Sequence, residues 1–140
     1  MKMDIFLDTI VVLDVLLIRQ PFYADAAEIW DLCETGVTPG HISAISFNNA
    51  FYVARKVDGK SDARAMMVLL RDMFSVVSLD MQILNQAIAA NFNDFEDAIQ
   101  YHSAIRAGAK MLITRNVGHF PATGIPVLTP RDFLATHTNR

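Results

Sequence analysis

A chain of 140 residues is long enough for one hydrophobic core and short for two, so a single domain over residues 1–140 is expected. Apolar residues at 52% against 19% charged exclude a disordered chain, and a net charge of −3 excludes tight, unspecific nucleic-acid binding through a basic surface. A nuclease is not excluded, because a bound cation can supply positive charge locally.

The lone Cys33 cannot form an internal disulfide, which points to a reducing cytoplasm. No secretory signal is visible. The apolar run from Ile5 to Ile18 is interrupted by Asp8 and Asp14 and is short for a membrane span, so no membrane association is expected.

Ile5 to Leu7 reads as a buried strand that runs straight into Asp8. An ionised carboxylate in that place is costly unless it is paired, hydrogen-bonded or metal-bound. Val11 to Ile18 is apolar at nearly every position and reads as a short buried helix. Pro21 suits the first turn of a second helix, with Phe22, Ala26, Ile29, Trp30 and Cys33 at helical spacing on one face and Gly36 at its end. After the Pro39-Gly40 turn, His41 to Ile45 is a short strand. Ser46 to Val57 is helical, and after Asp58-Gly59 a further helix is expected, capped by Ser61. Phe74 to Leu79 is the third strand, and Asp80 caps the helix that carries Ile83, Leu84, Ala87 and Ile88. Asn93-Asp94 opens a helix that runs to about Ala107 and stops at Gly108. Met111 to Thr114 is the fourth strand, a loop follows, Ile125 to Leu128 is a short edge strand, and Pro130 to Thr136 is a final helix.

Strands that alternate with helices mean an α/β domain with a mostly parallel sheet. The two helices between strands two and three make the wrapping differ from a plain βαβ repeat. In such sheets ligand sites collect beyond the carboxyl ends of the strands, which is where Asp8 lies.

Asn93-Asp94-Phe95-Glu96-Asp97 places three carboxylates at one helix start. Part of this is ordinary capping, since Asp94 is a good N-cap and acids in a first turn are favoured by the helix dipole. Asp97, three residues on, would face Asp8 across the carboxyl edge of the sheet. Thr114-Arg115-Asn116 lies beyond the fourth strand on that same edge, either as a simple turn or as a source of neutral oxygens from Thr114 and Asn116. Two aspartates with such oxygens suit Mg²⁺ or Mn²⁺, hard ions that take oxygen ligands.

At these residues the chain resembles a known family. Phe6-Leu7-Asp8-Thr9 with its apolar helix is similar to the opening motif of PIN domains. Asp94 to Gln100 is similar to their acidic helix start, and Leu112 to Asn116 with Phe120 to their fourth-strand motif. Ile125 to Pro130 with Phe133-Leu134 is similar to the end of many such chains. The resemblance runs from Met3 to about Leu134. It implies a Rossmann-like, three-layer fold with about five strands in the order 3-2-1-4-5. It also implies a metal-dependent ribonuclease, often the toxin of a bacterial toxin–antitoxin pair and often a homodimer. The family's first acid maps onto Asp8 and its helix-start acid onto Asp97, with Asn116 as a further metal ligand. Asp94 and Thr114 complete the catalytic set, and Thr9, Asn49, Arg115 and His119 are candidate substrate contacts. Arg115 could equally form a surface ion pair, and His119 could equally be a solvated loop residue. His102, on the helix after Asp97, reads as structural.

The chain departs from the family pattern at three places. Ile10 stands where the family usually carries Asn, its second acid falls near Asn48-Asn49, and the acid often found after strand four falls at Asn116. Fewer charged ligands weaken metal binding. Two functions of different classes are therefore expected to compete: the nuclease, and a catalytically degenerate module that binds RNA or protein. Two other phosphate enzymes are excluded. A haloacid-dehalogenase-type phosphatase needs an acid where Ile10 stands, and a receiver domain needs a lysine after the fifth strand. No glycine-rich phosphate loop follows strand one.

Overall fold

The computed structural model of the protein describes residues 3–137. Five short strands form one sheet: β1 (Ile5–Leu7), β2 (Gly40–Ser43), β3 (Ser75–Val77), β4 (Met111–Ile113) and β5 (Val127–Leu128). Their order is β3-β2-β1-β4-β5, and every pairing is parallel. Around them lie α1 (Thr9–Leu16), α2 (Tyr23–Glu34), α3 (Ile45–Asp58), α4 (Lys60–Met73), α5 (Met81–Ala89), α6 (Phe95–Arg106) and α7 (Pro130–His137).

Three layers follow from the alternation of side chains along the central strands. Ile5 and Leu7 of β1 and Met111 and Ile113 of β4 face one way, toward Val11, Ile29, Trp30 and Phe133. Phe6 and Leu112, one residue out of phase, face the other way, toward Ile83, Ile99, Tyr101 and Phe120. With both faces covered, β1 and β4 are buried at every position. This is why they read as unbroken apolar runs and not as alternating ones.

The chain winds one way from β1 to β3, then returns to β4 on the other side of β1. Here the strand order reverses, and a crevice opens where β1 and β4 end side by side. Their register pairs Leu7 with Ile113, so Asp8 and Thr114 leave the sheet together.

Boundaries differ from the sequence reading where backbone geometry intervenes. The first helix begins at Thr9, two residues early, because the carbonyl of Asp8 already accepts Val11 N–H at 3.0 Å. It ends at Leu16, before Ile18 turns to a φ of 51°. The second helix begins at Tyr23, not at Pro21. Ser61 does not cap α4: Gly59, at a φ of 90°, reverses the chain after α3 and takes the N-cap position, with no side-chain cap bond. Asp80 and Asp94 do cap α5 and α6, accepting from Ile83 and Asp97 N–H at 3.0 Å each. A short 3₁₀ turn, Val117–His119, lies in the loop after β4.

Gly40 opens β2 directly beneath the edge-on contact of Trp30 with Phe74, whose ring centroids are 5.0 Å apart. A Cβ at position 40 would stand 2.7 Å from Cys33 Sγ and 2.8 Å from Phe74 Cδ1. Gly40→Ala is therefore expected to destabilise the fold by about 1–3 kcal/mol through overpacking. The measurement is urea unfolding, with a lower midpoint at an unchanged slope.

Candidate functional site

Asp8 is placed by its own backbone. Its N–H extends the β1–β4 ladder to the carbonyl of Ile113 at 3.0 Å, while its carbonyl starts α1. The side chain makes no cap bond to the helix and stays at the mouth of the crevice, 5% exposed. Thr114, wholly buried at the end of β4, donates its hydroxyl to Asp8 Oδ2 at 2.7 Å. The same Thr114 oxygen accepts Asn116 N–H at 3.1 Å, which fixes the hydroxyl proton on Asp8. Burial pushes the Asp8 carboxyl up to about 6. The Thr114 bond opposes that rise, and the charges of Asp97 and Glu96 add to it.

The opposite wall is the first turn of α6. Asp94 spends Oδ1 on the N–H of Asp97. Asp97 itself is half-buried, and its Oδ2 lies 3.2 Å from Nδ1 of His119. Its carboxyl is also raised, first by burial and then by Asp94, with His119 acting against both. Neither Asp8 nor Asp97 pairs with a lysine or arginine among the described residues.

Glu96 stands beside them on a buried polar network. Thr9 Oγ1 donates to Glu96 Oε2 at 3.1 Å, and lies 2.6 Å from Ser46 Oγ. Gln100 Nε2, with two hydrogens to share, lies 2.8 Å from Thr9 Oγ1, 3.2 Å from Ser46 Oγ and 3.4 Å from Glu96 Oε2. A hydroxyl has one proton, so with Thr9 donating to Glu96, Ser46 must be the donor to Thr9. This network joins α1, α3 and α6 behind the acids.

A cavity of about 330 Å³ lies in front of Asp8 and Asp97. Thr9, Asn49, Asp94, Glu96, Asn116 and His119 also border it. Thr114 sits behind Asp8 and does not. Thr9 reaches the cavity with its hydroxyl already committed to the buried network. Arg115 turns away from it: the guanidinium holds Asp14 by two bonds, at 2.8 and 3.1 Å, and lies 3.7 Å over the ring of Phe22. A larger groove, about 680 Å³ between α3 and α4, is lined by Phe47, Phe51 and Met67 and by no carboxylate, so chemistry and not size singles out the acidic cavity.

Three participants, Gln100, Ser46 and Arg19, escaped the sequence reading. Gln100 stands four residues after Glu96 on α6, the spacing that puts two side chains on one helical face, and that signal was available. Ser46 carried none, because only the β2–α3 connection brings it under Thr9. Arg19 borders the cavity from the end of α1, which no periodicity shows.

Among the described residues, no three His, Cys, Asp or Glu side chains converge as a ready-made metal cage. No helix among them is long and apolar enough to cross a membrane.

A PIN domain family model matches residues 4–118. No curated protein matches the chain. Among solved structures, the DNA-bound VapBC of Salmonella typhimurium is similar at a TM-score of 0.70 and 18% identity, over 91% of this chain and 98% of that one. A toxin–antitoxin complex of Klebsiella pneumoniae gives 0.68 at 22% identity, over 89% and 96%. The sarcin–ricin loop-cleaving toxin VapC20 of Mycobacterium tuberculosis gives 0.64 at 14% identity, over 77% and 86%. The order of the strands, the acids gathered where β1 and β4 end, and the family match over most of its length agree: this chain belongs to the PIN-domain family.

Proposed function

We propose that this protein is a metal-dependent ribonuclease that hydrolyses RNA phosphodiester bonds, with Asp8 and Asp97 holding Mg²⁺ or Mn²⁺. The observation that carries the reading is the unbalanced charge of the cavity. Four carboxylates border it, those of Asp8, Asp94, Glu96 and Asp97, against one arginine. Two of them, Asp8 and Asp97, are pushed toward protonation. Such a site is poor at holding a polyanion and well suited to a hard cation.

The donor set fits that ion in a limited way. Thr114 and His119 engage Oδ2 of Asp8 and of Asp97, and Asn49 and Asn116 contribute neutral oxygens at the rim. Two carboxylates with neutral oxygens and water are a usual arrangement for Mg²⁺. When bound, the ion supplies activation of water and offsets charge on the phosphodiester. The chain's own part is positional. Thr114 fixes Asp8 Oδ2 at 2.7 Å and so sets the orientation of the carboxylate. His119 holds Asp97 from the opposite side, and the Thr9–Ser46–Gln100 network keeps Glu96 from swinging into the ion's place.

By analogy with the toxin–antitoxin complexes it is similar to, we assign it the role of a cytoplasmic toxin with a protein antitoxin as partner and a homodimer as its assembly. A catalytically degenerate, RNA- or protein-binding module is the second reading. The amides at Asn49 and Asn116, and the absence among the described residues of three acids placed to hold one ion, favour it.

Two measurements separate these. Asp8 binds its proton more tightly folded, at about 6, than unfolded, at 3.8. Stability is thus full below pH 3.8 and falls as the pH rises through 6. At roughly 1.4 kcal/mol for each pH unit of that gap, the loss is of order 3 kcal/mol. Asp8→Asn is expected to raise the melting temperature at pH 7.5 but not at pH 4. Mg²⁺ or Mn²⁺ should raise that of the wild type at pH 7.5 and leave Asp8→Asn unmoved; a cation effect equal in both places the ion elsewhere. In the second measurement, wild type with either ion is expected to cleave RNA, and Asp8→Asn and Asp97→Asn to lose at least a hundredfold in rate. Wild type that binds RNA without cutting it supports the degenerate module instead.

A further inference from the structure

The turn that ends α1 is strained, and nothing in the acidic site requires the strain. Ile18 is β-branched and 62% exposed, yet it sits at a φ of 51°, where such residues are rare. Strain of this kind persists where the surroundings over-determine it, often beside a ligand. Its result here is to bring Arg19 back along the helix it has just left. Arg19 N–H closes the turn on the carbonyl of Asp14 at 3.0 Å. Its Nε donates to Asp14 Oδ1 at 2.9 Å, and its Nη2 to the carbonyl of Ile10 at 3.4 Å.

Asp14 does not need this arginine. It is fully buried, and Arg115 already engages both of its oxygens. Two guanidiniums on one carboxylate leave one positive charge over. Arg115 does not carry it to the acidic cavity, since its guanidinium is packed on Phe22 beside a separate hollow with Pro21 and Thr129. Arg19 does. It borders the cavity of Asp8 and Asp97, is the one lysine or arginine among the described residues to do so, and is about one-third exposed at 34%. No hydrogen bond among the described residues engages its Nη1.

We infer that Arg19 forms a phosphate-binding subsite at the rim of the acidic cavity, contacting a non-bridging oxygen of the RNA phosphodiester, and that Asp14 is the positioning residue that aims it. A guanidinium presents paired donors to a phosphate and stays charged at any working pH. The leftover charge faces a cavity that four carboxylates line and that no other lysine or arginine among the described residues borders. The inference rests on the ribonuclease reading, because it supposes that an RNA backbone enters this cavity.

The test is steady-state cleavage of a fluorescein-labelled single-stranded RNA by the full chain in Mn²⁺, at several NaCl concentrations, with Asp8→Asn as the inactive control. Arg19→Ala is expected to raise KM about tenfold or more, as loss of a charged hydrogen bond does, with kcat within a few-fold of wild type. The slope of log KM against log salt should fall by about 0.7, the share of one phosphate contact on a single strand. Arg19→Lys should restore the slope while recovering only part of the affinity. Asp14→Asn should raise KM in the wild-type background and add nothing to Arg19→Ala, a coupling that a merely structural role would not produce. Should Arg19→Ala fail to fold, Arg19→Gln, which can still donate to Asp14 but is neutral, carries the same comparison. Wild-type KM and salt slope in the arginine variants, with cleavage still abolished by Asp8→Asn, overturn the subsite and leave the ribonuclease standing. Absence of cleavage by wild type overturns both.

Discussion

A carboxylate held at the buried end of a hydrophobic strand is the constraint on which the rest of the molecule depends. Asp8 cannot move outward, because its N–H is bonded to β4 and its carbonyl to α1. Water reaches it only through the crevice, and the one hydroxyl that Thr114 supplies does not offset burial. Glu96 and Asp97 worsen the electrostatics. A fold that gathers acids around a group it has already desolvated loses stability toward neutral pH unless something positive joins them.

Asp14, six residues further along the same strand–helix unit, meets the opposite fate. It too is buried, on a different side of α1, and there the chain encloses it with Arg19 and Arg115. The two aspartates show how one local segment supplies both a permanently neutralised carboxylate and an open one. The difference lies in what β4 and its following loop bring to each. Thr114, a neutral donor, goes to Asp8, and Arg115, its chain neighbour, goes to Asp14. Residues adjacent in sequence point to opposite sides as the strand ends, so one short motif serves both sites.

Behind the acids, the Thr9–Ser46–Gln100–Glu96 network ties three helices together through buried hydrogen bonds. Such networks hold geometry more than they add stability, since each polar group exchanges water for a protein partner. This one sets the depth of α6 against β1, and so the depth at which Asp97 stands opposite Asp8. The cavity's shape is thus a property of α1, α3 and α6 jointly.

Much of this was legible in the residues alone. Unbroken apolar runs at Ile5–Leu7 and Met111–Ile113, with helical spacing between, are what a parallel sheet covered on both faces requires, and they determined the layers. Asp8 after one such run was recognisable because a charge there needs a partner, and Asp94 and Asp97 because their acidic helix start falls on the same sheet edge, although capping accounts for part of it. Tertiary structure alone decided which polar groups are used up. Arg115 and Thr9 carry the right chemistry for substrate contact, yet one is held by Asp14 and Phe22 and the other by Ser46, Gln100 and Glu96. The reverse holds for Arg19, which reads as an ordinary residue after a helix and is carried to the cavity by a single left-handed turn. Local pattern determines which elements form, because burial follows periodicity. Which donor meets which acceptor depends on contacts between residues up to 106 positions apart, and no local pattern encodes those.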